Sequence, residues 1–172
     1  MYKKLRIESC NVYGVMESIT AMRRPKGTKG DSMFLKDGPV LGERDIALAR
    51  NLVRAGTDHG KFTRGINAYF VLHMQTGFMI EFETYRHGVE CLSTSSSMHG
   101  ELKHLSGKEL AAQKQRDLVE KVYTRDVVIS YQALRAMYRA RRNHRHPDWR
   151  IFCNAIERMP FFDVFIFPEY GD

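Results

Sequence analysis

The sequence predicts an α+β domain. Three observations carry this. Runs rich in aromatic and branched residues, at 4–15, 66–74 and 161–167, read as strands. The segments between them, above all 43–55 and 109–142, repeat apolar residues at helical spacing. At 172 residues and 43% hydrophobic, the chain is long enough to bury a core as one domain, residues 1–172, without disulfide staples.

The elements follow in order. Leu5, Ile7, Val12 and Tyr13 mark the first strand, over 4–15. Residues 17–24 form a short helix that stops before Pro25, because proline disfavours helix at the residue preceding it. Lys26-Gly27-Thr28-Lys29-Gly30-Asp31 is a basic, glycine-rich loop, and Pro39 and Gly42 extend the irregular region. The loop lacks the G-x-x-x-x-G-K-[ST] spacing of a phosphate loop. Residues 43–55 are an amphipathic helix on Ile46, Ala49, Leu52 and Val53. Glu43 and Asp45 in its first turn and Arg54 in its last suit the helix dipole, and Gly56 is its C-cap. Residues 66–74 are a buried strand, broken by Gln75-Thr76-Gly77. Residues 78–91 read as a helix with Phe78, Phe82, Tyr85 and Val89 on one stripe; a strand over 78–82 is the competing reading. Residues 93–97 are a polar loop. Residues 109–142 read as one or two helices, with Leu118, Val122, Tyr123, Val127, Ile129, Leu134, Met137 and Tyr138 on the apolar face. Pro147 interrupts, Asp148 is an N-cap type of residue for a helix over 149–158, and Pro160 ends it. Residues 161–167 read as a final buried strand.

Lys and Arg number 27 against 20 Asp and Glu, a net charge of +7. That balance favours anionic partners, such as nucleotides or nucleic acid, or is simply a solvated basic surface. No apolar run approaches the ~20 residues of a membrane span. The basic start carries no apolar signal segment behind it. Cys10, Cys91 and Cys153 form no C-x-x-C pair and no disulfide framework. A cytoplasmic protein is the expectation.

The richest stretch for chemistry runs from Tyr85 to His99. Arg86 supplies a planar fork suited to phosphate oxygens, His87 a donor or acceptor, and the serine run hydroxyls and turn N–H groups. The plainer alternative is a helix end followed by a solvated loop. Arg139, Arg141, Arg142 and Arg145 make the strongest basic cluster, which suits nucleic-acid phosphates or, equally, the solvated C-terminal end of a helix. His144 and His146 lack the acidic or cysteine partners that a zinc site needs. His73 reads as a satisfied buried histidine in an apolar strand. Cys91 reads as a structural thiol.

From Leu35 to Phe167 the order of features resembles the flavin-dependent thymidylate synthase family. Glu43-Arg44-Asp45 opens the acidic-start helix, and Asp58-His59 with Phe62-Thr63-Arg64 stands at the family's Gly-His…Phe-Glu-His segment. Residues 66–74 match the strand and 78–87 the helix with its Arg-His end. Ile19-Thr20-Ala21-Met22-Arg23 is similar to the N-terminal arginine segment. The resemblance implies a compact domain with a central, mostly antiparallel sheet flanked by helices. It implies FAD as cofactor, held by Arg86 and His87. It implies a pyrimidine nucleotide such as dUMP against Thr94, Ser96, His99 and Arg158, with Ser96 at the catalytic position. NADPH and methylenetetrahydrofolate are the implied co-substrates, one-carbon transfer to the base the implied reaction, and a homotetramer with sites between subunits the implied assembly.

The motif departs from the family at several positions. Gly88 stands where the third residue of the Arg-His-Arg triplet falls, Thr94 at the glutamate, Met98 at the following arginine and His99 at the closing tyrosine. Arg158 lies two positions nearer Pro160 than the family's nucleotide-binding arginine, and the chain reads as shortened at its C-terminus. Each lost charge-assisted bond removes about 1.5–3 kcal/mol. Arg64, His99 and Arg158 are the candidate replacements. The other reading is a catalytically degenerate relative that binds nucleic acid or protein as an oligomer.

Overall fold

A computed structural model of the chain describes residues 1–96, 100 and 102–169. Six strands and six helices follow one another: β1 (Arg6–Tyr13), α1 (Val15–Arg23), β2 (Met33–Leu35), β3 (Gly38–Val40), α2 (Glu43–Arg54), β4 (Asn67–Gln75), α3 (Thr76–Phe82), β5 (Val89–Thr94), α4 (Gly107–Glu120), β6 (Val122–Ser130), α5 (Tyr131–Arg141) and α6 (Pro147–Glu157). Four strands make one sheet in the order β1-β4-β6-β5, every pair antiparallel, and β2 and β3 form a separate hairpin.

The sheet is built by alternation. Along β4, Ala68, Phe70, Leu72 and Met74 are wholly buried, while Tyr69, Val71 and His73 between them stay partly exposed. Successive strand side chains point to opposite faces, so helices cover one face only. On the covered side Phe70, Phe82, Trp149 and Phe152 meet at ring separations of 5.5–6.2 Å. Full burial of each such ring contributes about 1.5–3 kcal/mol. Trp149 donates its indole N–H to Glu81 at 2.8 Å, and the Arg141 guanidinium lies 4.8 Å from its ring centroid.

Several elements differ from the sequence reading. The helix expected over 78–91 ends at Phe82, and Gly88 reverses the chain into β5. The long helical stretch expected over 109–142 is interrupted by β6, which pairs with both β4 and β5. The expected last strand at 161–167 is a wide helical turn, Phe162–Ile166. Phe161 starts that turn in the left-handed region, at φ 56°, and Phe162, Val164, Phe165 and Ile166 are all buried. With Asp163 the one polar residue in the segment, no repeating wet face sets a period, so its apolar run did not reveal its geometry. The irregular region before α2 contains the β2–β3 hairpin.

Asp148 is not the N-cap of α6. His146 takes that place and accepts the Asp148 N–H, while Pro147 occupies the first turn. The buried Asp148 carboxylate instead accepts the Tyr2 hydroxyl and, at 2.9 Å, the Leu5 N–H. Asp45, read as a dipole partner, is likewise wholly buried. It accepts Arg23 Nε at 2.6 Å, the N–H groups of Asp31 and Ser32, and the Ser32 hydroxyl. Burial pushes its pKa up, but the hydrogen bonds from Ser32, Arg23 and Asp31 outweigh this and hold it at about 2.

Candidate functional site

Two turns close α3, through Glu81–Thr84 and Phe82–Tyr85 backbone bonds, and deliver Arg86 and His87 to the start of β5. Gly88 follows at φ 71°. A Cβ at this position would lie 2.5 Å from Ser130 Oγ and 3.3 Å from the Ala133 Cβ. The Gly88 carbonyl also accepts the Ser130 N–H at 2.8 Å. The turn therefore fits against the start of α5 only with glycine at this place. An arginine at this place is disfavoured by that contact and by the left-handed backbone.

The edge strand β5 separates the two residues that the sequence paired. His87 lines a cleft of about 670 Å³ on the uncovered side of the sheet, together with Arg64, Asn67, Glu90, Ser130 and Gln132. Arg86 lines a smaller one, about 190 Å³, with Glu83, Tyr85, Val89, Cys91 and Arg125. The alternation along β5 accounts for the division, since Glu90 faces the larger cleft while Val89 and Cys91 face the smaller. Both Arg86 and His87 are exposed, and neither side chain is bonded among the described residues.

The larger cleft is the better furnished. Arg64 ends the short helical segment Gly60–Gly65 and donates Nε to Gln132 Oε1 at 2.8 Å. This leaves its Nη groups without a protein acceptor among the described residues. Ser130 caps α5 by accepting the Ala133 N–H. The positive end of that helix opens on the same cleft, where it favours an anion. Asn67 pairs with Ser130 across β4 and β6 and places a side-chain amide at the wall. The volume is that of a small-molecule site.

The remaining predicted residues are not gathered there. Thr94 Oγ1 accepts Arg125 Nε at 2.9 Å, and Arg125 also pairs with Glu83 at 2.7 Å, so Thr94 joins the Arg86 side of β5. Ser96 follows two residues on and lines neither cleft. His99 lies outside the described residues. Arg158 is exposed at the C-terminal end of α6 and lines neither cleft. It stands nine residues beyond Trp149, roughly 13 Å along the helix axis, whereas Trp149 is the residue that meets Tyr85. Of the three candidate replacements, Arg64 is the one beside His87.

Asn67, Glu90 and Gln132 were not singled out from the sequence. The strand register that brings them together depends on β6, whose alternation over Val122–Ser130 was the available signal. Asp126 on the same strand was also missed. It accepts the Ser93 hydroxyl at 2.5 Å and the Tyr69 hydroxyl at 2.6 Å, and those bonds lower its pKa. His73 is satisfied as expected, Nδ1 bonding Thr124 and Nε2 facing both Glu8 and Arg6, of which it bonds one at a time, but it is half-buried on the open face rather than buried. Cys91 is exposed rather than packed inside; all three cysteines are free and only Cys153 is buried. In the basic cluster, Arg141 sits against Trp149 and Tyr85, Arg142 lies 4.6 Å from the Phe167 ring centroid, and Arg139 pairs with Glu169 at 3.0 Å. Among the described residues no group of three or more His, Cys, Asp or Glu could hold a metal ion. No described helix is long and apolar enough to cross a membrane.

No protein-family model and no curated protein sequence matches the chain. Solved structures do. A flavin-dependent thymidylate synthase from Helicobacter pylori, in complex with FAD and dUMP, superposes with a TM-score of 0.65 at 12% identity, over 97% of this chain and 99% of that one. A second structure of thymidylate synthase X from the same organism, also with FAD and dUMP, gives 0.64 at 11% identity over 98% of each chain.

The chain has the flavin-dependent thymidylate synthase fold. At this identity the likeness is one of fold. The C-terminal shortening expected from the sequence has no counterpart against these two chains, which the superposition covers almost end to end.

Proposed function

We propose that the protein binds FAD and a pyrimidine nucleotide in the cleft beside His87, and that it transfers a one-carbon unit to the base. One observation supports the reading: a chain with this fold has a polar, amide-lined cleft of about 670 Å³, with Arg64, beside the Arg86-His87 turn that the sequence likens to the family's flavin-contacting triplet. The residues fit the ligand chemistry. Arg64, His87 and the positive end of α5 offer donors to phosphate oxygens. The amides of Asn67 and Gln132 offer a donor and an acceptor each to a base or isoalloxazine edge. A bound flavin supplies the redox chemistry, while the chain binds and orients. Arg86, on the other side of β5, serves the site of a neighbouring copy in a homotetramer.

The test is reconstitution of the purified chain with FAD, followed by dUMP. Retention of the visible flavin band, and its perturbation by dUMP, is the expected result. A chain that stays colourless after reconstitution overturns the reading. Release of tritium from labelled dUMP in the presence of FAD, methylenetetrahydrofolate and NADPH tests the reaction separately. The dispersal of Thr94, Ser96 and Arg158 away from His87 favours a second reading, in which the fold and ligands are kept without turnover. Flavin retention with no tritium release selects that one.

A further inference from the structure

The glycine-rich loop that α1 feeds into has no part in the cleft described above, yet it walls a cavity of its own, of about 370 Å³. Its floor is Met16 and Ile19 from α1, and its rim carries Arg23, Arg24, Thr28 and Lys29. Asp45 is the one carboxylate in the lining, and it is committed inward. One of its oxygens accepts Arg23 Nε, and the other accepts two backbone N–H groups and the Ser32 hydroxyl. A carboxylate with four donors in place has little capacity left for the cavity. Three cations therefore face one already bonded anion.

The buried end of Arg23 makes the imbalance specific. Its Nε is bonded to Asp45 and its Nη1 approaches Thr28 Oγ1 at 3.5 Å, but Nη2 is buried and has no acceptor. A buried guanidinium N–H without an acceptor is uncommon and marks the place of an oxygen not supplied by the chain. Arg24 and Lys29 are exposed and make no ion pair among the described residues. Gly27 reverses the loop at φ 60° between them, with open space where a Cβ would point. Charge-assisted donors from the end of α1 and the loop after it, around an apolar floor, suit a phosphoryl group carrying an organic body.

We infer that this cavity is a binding site for a phosphate monoester, with the phosphoryl oxygens held by Arg23 Nη2, Arg24, Lys29 and the Thr28 hydroxyl, and the organic part resting on Met16 and Ile19. The site does not depend on flavin or pyrimidine binding at the other cleft.

The experiment is amide chemical-shift mapping of the full-length protein titrated with inorganic phosphate, with adenosine 5′-monophosphate, and with chloride at matched ionic strength. Saturable shifts at Gly27, Thr28, Gly30 and Ser32 with both phosphates, and not with chloride, are expected. The monophosphate ester is expected to bind more tightly than inorganic phosphate. Arg24→Ala and Lys29→Ala, both at exposed positions and so compatible with folding, are each expected to weaken binding about tenfold. Shifts that follow chloride equally, or that appear only at residues 64 and 87–90, overturn the site. Undiminished binding in the Arg24→Ala/Lys29→Ala double variant overturns it as well. Equal affinity for the two phosphates overturns the role given to Met16 and Ile19.

Discussion

Replacing Gly88 by alanine puts the geometry of the Arg86-His87 turn to a quantitative test. The new Cβ would stand 2.5 Å from Ser130 Oγ, well inside contact distance. It would also impose the left-handed conformation on a residue with a side chain, a penalty of about 1–2 kcal/mol. Ser130 Oγ must then move, and with it the bond that caps α5 at Ala133 N. Loss of such a cap removes about 0.5–2 kcal/mol. Together Gly88→Ala should lower stability by about 1.5–4 kcal/mol, or roughly 3–15 °C in Tm for a chain of this size. Thermal unfolding followed by circular dichroism reads the effect. Gly77→Ala is the control, because nothing lies within 4 Å of its Cβ position and its backbone needs no left-handed turn. If the Gly88 variant melts with the wild type, the turn relaxes easily and an arginine is not disfavoured at this place. A Gly88→Arg variant should then bind flavin better than the wild type; if the penalty holds, it is destabilised like Gly88→Ala.

Four further outcomes are expected. Arg64→Ala removes a charge-assisted donor from the larger cleft and should weaken FAD binding roughly 10- to 100-fold, whereas Arg158→Ala should leave it within about twofold, both read by flavin fluorescence titration. Asp45 has its folded pKa held at about 2 against an ordinary value of 3.8, so the unfolded chain binds the proton first and stability falls with pH. That contribution, about 2 kcal/mol, should be intact above pH ~4 and fade towards pH ~2 in urea titrations, and Asp45→Asn should lack this step. Trp149→Ala opens a cavity among Phe78, Phe82 and Phe152 and should cost about 3–5 kcal/mol by denaturant unfolding. Alkylation of the native protein should label the exposed Cys91 promptly, Cys10, whose thiol is exposed but pushed up to about 11 by desolvation, more slowly, and Cys153, buried and likewise pushed up to about 11, only after unfolding.

The elements with one wet face were legible in the sequence. β4 was legible as a strand from its aromatic and branched residues, though one of its faces is open where the sequence reads it as buried, and α2 shows its stripe of Ile46, Ala49 and Val53 ended by Gly56. β6 was not, because no glycine or proline separates it from α4 and α5. Its own charges, Arg125 and Asp126, also fit a helical surface. They are tolerated mid-strand because Arg125 has Glu83 and Thr94 as partners and Asp126 has Tyr69 and Ser93. The Phe161–Phe167 stretch failed for the opposite reason, since it is mostly buried with Asp163 its single polar residue, and its conformation is set by packing. At the site, the residues Arg86, His87 and Gly88 could be read as a motif. That the first two face different clefts could not, because it follows from β5 being an edge strand with a helix on one side. The pairing of Arg64 with Gln132 joins residues 68 positions apart, and no local pattern encodes it.

The bond from the Leu5 N–H to Asp148 bears on how the chain is made. It spans 143 positions, so the segment before β1 waits for α6 to be made. At 5–20 residues per second that delay is roughly 7–30 s. During it β1 can find β4, but β4's other edge stays open until β6 is synthesised, since β6 lies between β4 and β5. The nascent chain thus carries an unpaired β4 edge from the completion of Gln75 until Ser130 is made, a condition that favours chaperone contact and misassembly.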